Sequence, residues 1–197
     1  MKKFILSILI SGFIITAMAQ NNTDTATFGN GCFWCSEAIF ERLQGVKSVT
    51  PGYAGGTEKN PSYDLVCSGT TNYAEVIQIT FDPAVISYRE LLEVFWKTHN
   101  PTTLNRQGAD VGKQYRSIVF YHNQVQKETS TYYKNELAKA KIWNKPIVTQ
   151  IEPVSNFYAA ETYHNDYYKN NPGNGYCNFV ITPKIEKFEK LFKEKLK

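Results

Sequence analysis

Cysteine, histidine and methionine are scarce in this 197-residue chain, at four, three and two residues. Four cysteines are too few for a disulfide-stapled scaffold in which bridges replace a hydrophobic core. A zinc site built from paired cysteines needs two close pairs. Only Cys32 and Cys35 stand close together, Cys67 and Cys177 are isolated, and His99, His122 and His164 show no ligand spacing to any of them. No metal site is expected. Charge is also nearly balanced: the net value is +4, and Lys2 and Lys3 account for two of those charges. That leaves no electrostatic case for nucleic acid. The chain has no internal repeat and no low-complexity run. Gly52, Gly55 and Gly56 lack the following Gly-Lys-Ser/Thr of a phosphate-binding loop.

Long apolar runs are missing too, which argues against a membrane anchor, the alternative reading of the N-terminus. The apolar stretch over residues 4–16 falls short of the ~20 residues a bilayer requires. It follows the positive Met1-Lys2-Lys3 and precedes the small residues of Ala17-Met18-Ala19, the pattern of a signal peptide cut before Gln20. Residues 1–19 are therefore expected to be a signal peptide and 20–197 one domain, exported to a periplasm or secreted. That length is enough to bury a core.

What is present is an irregular alternation of strand and helix patterns. Ala26-Thr27-Phe28 is β-prone and runs into the turn cluster Gly29-Asn30-Gly31, from which residues 36–43 continue as a helix ending at Gly45. Residues 46–50 read as a strand and 51–56 as part of a long loop. Residues 75–81 alternate apolar with polar as a half-buried strand does. Ser87 with Glu90 three residues on is a capping box, and Leu91, Leu92, Phe95 and Trp96 share a helical face that must end before Pro101. Residues 114–121 read as a strand, 124–141 as a helix, 147–151 as a strand and 184–197 as an amphipathic helix. These elements predict an α+β fold: a single two-layer domain with a mixed β-sheet and flanking helices.

The chemistry points to Gly31-Cys32-Phe33-Trp34-Cys35. A cysteine attacks as its thiolate, which a strand-to-helix turn favours through the positive helix end and its free N–H groups. Cys32 occupies that turn, and Cys35 follows about one helical turn later, within reach of a disulfide. Nucleophile and resolving thiol is one reading. A structural disulfide, half of a zinc site and a thioredoxin-like disulfide exchanger are the others.

Gly31-Cys32-Phe33-Trp34 resembles the signature of the A-class peptide methionine sulfoxide reductases. The likeness continues in family order through Gly52-Tyr53-Ala54-Gly55-Gly56, Asn60-Pro61-Ser62-Tyr63, Val66-Cys67-Ser68-Gly69, Ala74-Glu75, Ile86-Ser87-Tyr88, the block from Arg106 through Gly112, and Gln114-Tyr115-Arg116-Ser117. It ends in Tyr163-His164, Asn171-Pro172 and Gly175-Tyr176-Cys177. The resemblance implies a ferredoxin-like core and thiol-dependent reduction of methionine S-sulfoxide, free or peptide-bound, in repair of oxidised proteins. It implies Cys32 as nucleophile, Glu75 as acid catalyst, Tyr63 and Tyr115 as donors to the sulfoxide oxygen, Asp110 in support, and Phe33 and Trp34 as the pocket for the methyl group. It implies resolution by Cys35 or, as second choice, Cys177, with Cys67 buried and inert. No bound cofactor is implied; electrons come from a thioredoxin-like protein, or from dithiothreitol in vitro, and the enzyme is expected to be a monomer. One departure stands beside the acid, where the family often has Gly-His and this chain has Asn72-Tyr73.

Overall fold

The computed structural model describes residues 22–197, so the expected signal peptide over 1–19 lies outside the described residues. The chain forms β1 (Asp24–Asn30), α1 (Phe33–Phe40), β2 (Val46–Ala54), α2 (Tyr63–Cys67), β3 (Ala74–Phe81), α3 (Tyr88–Thr98), the hairpin β4 (Arg106–Gln107) and β5 (Asp110–Val111), β6 (Ser117–Tyr121), α4 (Gln124–Lys139), β7 (Gln150–Pro153), β8 (Tyr158–Ala159), α5 (Tyr167–Asn170) and α6 (Thr182–Leu191). Six strands make one sheet in the order β7-β6-β1-β3-β2-β8, antiparallel except for the parallel β6–β7 pair. Within it, β1, β2, β3 and β6 with α1 and α3 reproduce the β-α-β-β-α-β order of a ferredoxin-like core.

The mixed sheet carries its helices on one face. Phe28, Phe33, Ile39, Phe40, Ile77, Ile79, Phe81, Phe95 and Phe188 close the principal core there. Each such side chain contributes about 1.5–3 kcal/mol by leaving water. The opposite face holds only a small cluster of Ala54, Ala74, Val76, Ile118 and Phe120 beneath Val154 and Phe157. This explains why β3 is buried on both sides of most of its length instead of alternating cleanly.

Ser87 caps α3 as expected: its Oγ accepts from the Glu90 N–H while the Glu90 carboxylate accepts from the Ser87 N–H, a pairing that contributes about 1 kcal/mol. Other boundaries differ. The segment over 51–56 is not all loop, because β2 runs on through Pro51 and Gly52 to Ala54, held against β3 with Tyr53 opposite Glu75. Residues 113–115 form a 3-10 turn before β6 begins at Ser117. The strand expected over 147–151 starts at Gln150, because the Val148 N–H is taken by the Pro101 carbonyl. The C-terminal helix starts early, with a π-helical turn (Cys177–Ile181) running directly into α6.

Candidate active site

The turn from β1 to α1 is made by Gly31 at φ +101°. A Cβ there would also lie 2.7 Å from the Gln107 side chain, so the β4–β5 hairpin packs against bare backbone. Ser36 Oγ donates to Asn30 Oδ1 at 2.6 Å and fixes the turn from the helix side. Cys32 thereby becomes the N-cap of α1, without a side-chain cap, and the N–H groups of the first helical turn are left to find partners elsewhere.

Glu75 on β3 provides one. Its Oε2 accepts from the Phe33 N–H at 3.1 Å, and the carboxyl is 2% exposed. Burial pushes it up to about 8, with Asp110 and Cys35 adding in the same direction against the Phe33 N–H. At neutral pH Glu75 therefore carries a proton. Cys32, Phe33, Trp34, Tyr63, Glu75, Asp110, Tyr115 and Tyr176 line one cavity of about 190 Å³, which takes in every expected site residue except Cys35, hydrogen-bonded to Cys32, and Cys177.

The aromatic wall is braced from behind. Trp34 stacks on Tyr167 at 3.6 Å between ring centres and donates its Nε1–H to His164 Nδ1 at 3.0 Å. That donation puts the His164 proton on Nε2, facing Glu161 Oε2 at 3.7 Å. Glu161 in turn accepts from the Tyr53 hydroxyl and the Tyr63 N–H, both at 2.9 Å. Burial pushes Glu161 upward, but the N–H of Tyr63, the Tyr53 hydroxyl and His164 outweigh it and hold the carboxylate below its ordinary range. Glu37, buried one turn after Phe33, accepts from the Asp166 N–H at 2.9 Å and anchors the segment that delivers Tyr167. Burial raises Glu37 to about 7.

The thiols differ. All four cysteines are free. Burial raises Cys32 well above the ordinary thiol range, with Cys35 and Glu75 adding to it and Tyr176 opposing. Cys35 is lowered to about 7: its hydrogen bond with Cys32 outweighs burial, helped by Lys184, whose Nζ stands 3.4 Å from Cys35 Sγ. Tyr176 donates to Asp110 Oδ2 at 2.7 Å and touches Cys35 Sγ at 3.9 Å. Cys177 is fully buried in the π-helical turn. Cys67 is half-buried rather than buried, because α2 is a single short turn at the surface, and its thiol meets the Tyr63 hydroxyl.

Tyr73, the departure beside the acid, does not line the cavity. Its ring packs against Gly56 and edge-on to Tyr158, and its hydroxyl donates to the Glu58 carbonyl. Four residues around the site carried no individual role in the sequence reading: His164, Tyr176, Glu161 and Lys184. His164 and Tyr176 fall inside the blocks Tyr163-His164 and Gly175-Tyr176-Cys177, which were the signal available. Glu161 and Lys184 carried none.

The family model described as peptide methionine sulfoxide reductase matches residues 24–196. A peptide methionine sulfoxide reductase MsrA of Saccharolobus solfataricus is 53% identical, over 88% of this chain and 97% of that protein. Mxr1 of Saccharomyces cerevisiae in its reduced form superimposes with a TM-score of 0.72 at 38% identity, covering 79% of this chain and 89% of that one. A second Mxr1 structure, in complex with Trx2, matches at a TM-score of 0.50 and 28% identity over 74% of this chain and 84% of that one. The chain belongs to the peptide methionine sulfoxide reductase family, in its A class. It is an oxidoreductase that returns methionine sulfoxide to methionine.

Proposed function

We propose that Cys32 attacks the sulfur of a methionine S-sulfoxide whose methyl group lies against Phe33 and Trp34 and whose oxygen faces Glu75, Tyr63 and Tyr115. One observation carries this assignment: a buried, protonated carboxyl bonded to the first helical N–H beside the nucleophile, at the wall of a small aromatic cavity. A sulfoxide oxygen gains charge as its sulfur is attacked, and a carboxylic acid at about 8 is protonated to supply what that oxygen needs. Tyr63 and Tyr115 are kept neutral by burial and by the negative groups around them, so both hydroxyls remain donors. Asp110 supports the site by holding the Tyr176 hydroxyl. Cys32 and Cys35 share a hydrogen bond, so a thiolate is within reach at neutral pH although burial disfavours one on Cys32 itself.

The net first step turns Cys32–SH and the sulfoxide into Cys32–SOH and the thioether. Oxygen moves to the cysteine sulfur, which loses the two electrons that the substrate sulfur gains. The Cys35 thiol then displaces hydroxide from Cys32, forming a disulfide and, with its proton, water. Cys177 is the second choice for this role; the hydrogen bond between Cys35 and Cys32 favours Cys35. A thioredoxin-like dithiol supplies the two electrons that restore the pair, a reading supported by the complex of Mxr1 with Trx2. The enzyme works as a monomer with no bound cofactor. Its place is outside the cytoplasm, on the strength of the signal-peptide pattern over residues 1–19, and no described helix is long and apolar enough to cross a membrane.

With dithiothreitol as reductant, the protein should convert a peptide-bound methionine S-sulfoxide and leave the R epimer. Cys32→Ser should abolish turnover, and turnover surviving in that variant removes Cys32 from the role. With one equivalent of sulfoxide and no reductant, peptide mapping should find Cys32 joined to Cys35. A Cys32–Cys177 link would transfer resolution to Cys177.

A further inference from the structure

Resolution needs a thiolate at Cys35, and Cys35 lies 4% exposed in the core, where a bare negative charge is costly. The groups around it were built by four separate parts of the chain. Cys32 faces it from the start of α1, Glu75 from β3, Tyr176 and Cys177 from the segment entering the π-helical turn, and Lys184 from the first turn of α6. Glu75 is protonated at neutral pH. The hydroxyl proton of Tyr176 is committed to Asp110 Oδ2 at 2.7 Å, so at 3.9 Å that oxygen offers Cys35 no short, charge-stabilising donor. Burial keeps Cys177 a neutral thiol. His99, the other titratable group near Lys184, is held neutral by burial and bonded to the Phe95 carbonyl and Ser117 Oγ.

One cation remains. Lys184 Nζ is 3.4 Å from Cys35 Sγ, and among the described residues no carboxylate pairs with it. A half-buried ammonium without an anionic partner, aimed at a buried sulfur, is a counter-ion in search of a thiolate.

We propose that Lys184 is a positioning residue of the resolving step: its ammonium stabilises the Cys35 thiolate and aims it at the Cys32 sulfenic acid. This rests on Cys35 being the resolving thiol. Chemically, the Cys35 thiolate forms the S–S bond as the Cys32 S–O bond breaks, and the departing hydroxide takes up a proton to leave as water. In the reverse sense, when an external dithiol attacks Cys32 in the disulfide, the same ammonium makes Cys35 the better leaving group.

The pH dependence distinguishes this role from packing. The resolving thiol titrates at about 7, held down first by its hydrogen bond with Cys32 and then by the charge and hydrogen bond of Lys184; without Lys184 it becomes a weaker acid. A thiolate of higher basicity is scarcer at low pH but more nucleophilic, with a Brønsted slope of about 0.45. For every tenfold by which Cys35 weakens as an acid in Lys184→Met, resolution becomes roughly three-fold slower at pH 6 and roughly two- to three-fold faster at pH 9. The two pH profiles therefore cross.

The experiment mixes full-length protein with one equivalent of N-acetylmethionine S-sulfoxide, without reductant, and follows Cys32 sulfenic acid and disulfide by rapid quench, dimedone trapping and mass spectrometry. Sulfenic acid should accumulate in Lys184→Met at pH 6 and not at pH 9, and Lys184→Arg should restore the wild-type profile. Superimposable profiles, or a parallel loss at every pH, overturn the Lys184 proposal. If wild-type protein instead forms a Cys32–Cys177 disulfide, the underlying choice of Cys35 fails, and the mapped linkage identifies that failure separately.

Discussion

Two carboxylates flank the aromatic wall, and the fold drives them apart. Glu75 is sealed in by β3 and α1 with a single N–H for company, and burial raises it to about 8. Glu161 is one-third exposed and accepts from both Tyr53 and Tyr63 with His164 alongside, which holds it ionised below its ordinary range. The difference lies in the number of donors and the access of water, not in the carboxyl group. One becomes a proton donor at neutral pH and the other a fixed anchor, the division of labour that paired carboxylates acquire from their surroundings.

The largest effect should come from Glu75→Gln, which keeps the shape and an acceptor for the Phe33 N–H but cannot give up a proton. We expect kcat/KM to fall by about 10²–10⁴-fold. The alkaline limb of wild-type activity, centred near 8, should vanish with it. Stability should move the other way. A carboxyl whose folded pKa is raised is no burden below its unfolded value, then costs progressively more as pH rises toward 8. The Tm of Glu75→Gln should therefore match wild type at pH 4 and exceed it most above pH 8. Equal Tm differences at both extremes would break the contrast.

Glu161→Gln should be milder for chemistry and harder on structure. It keeps one acceptor oxygen for the Tyr63 N–H and turns an NH2 toward the Tyr53 hydroxyl in place of the second oxygen, at a cost of about 1–3 kcal/mol. Because Tyr63 is held through its backbone, KM should rise several-fold with kcat less affected; a kcat loss as large as that of Glu75→Gln would refute the anchoring role. The smallest change should be Tyr53→Phe, which removes one of two donors to Glu161, at about 1 kcal/mol by thermal melting and with near-normal turnover.

Local pattern made part of this legible. The capping box at Ser87 and the glycine turn before Cys32 are written within four or five residues, so α3 and the turn stood where expected, whereas α1 runs over Phe33–Phe40, three residues ahead of the helix expected over 36–43. Pro51 and Gly52 looked like breakers, yet pairing with β3 carries β2 through them, since cross-strand partners are invisible to a local window. The site was legible at Cys32 by chemistry, and at Glu75, Tyr63, Tyr115, Asp110, Phe33 and Trp34 through family likeness alone. Residues Glu161 and Lys184 escaped because their meaning is a contact: Glu161 meets Tyr63 across 98 positions, and Lys184 meets Cys35 across 149. No periodicity encodes such distances.

The facing of Tyr53 and Glu75 across the β2–β3 ladder has one more consequence. Strand side chains alternate, so a slip of one residue between β2 and β3 would turn Tyr53 away from Glu161 and leave Glu75 beside the wrong neighbour. The proton donor and the anchor of the opposite wall thus share a single alignment. Folding acts here as its own proofreader: a misregistered chain lacks a working site, and the alignment that closes the core also arms the enzyme.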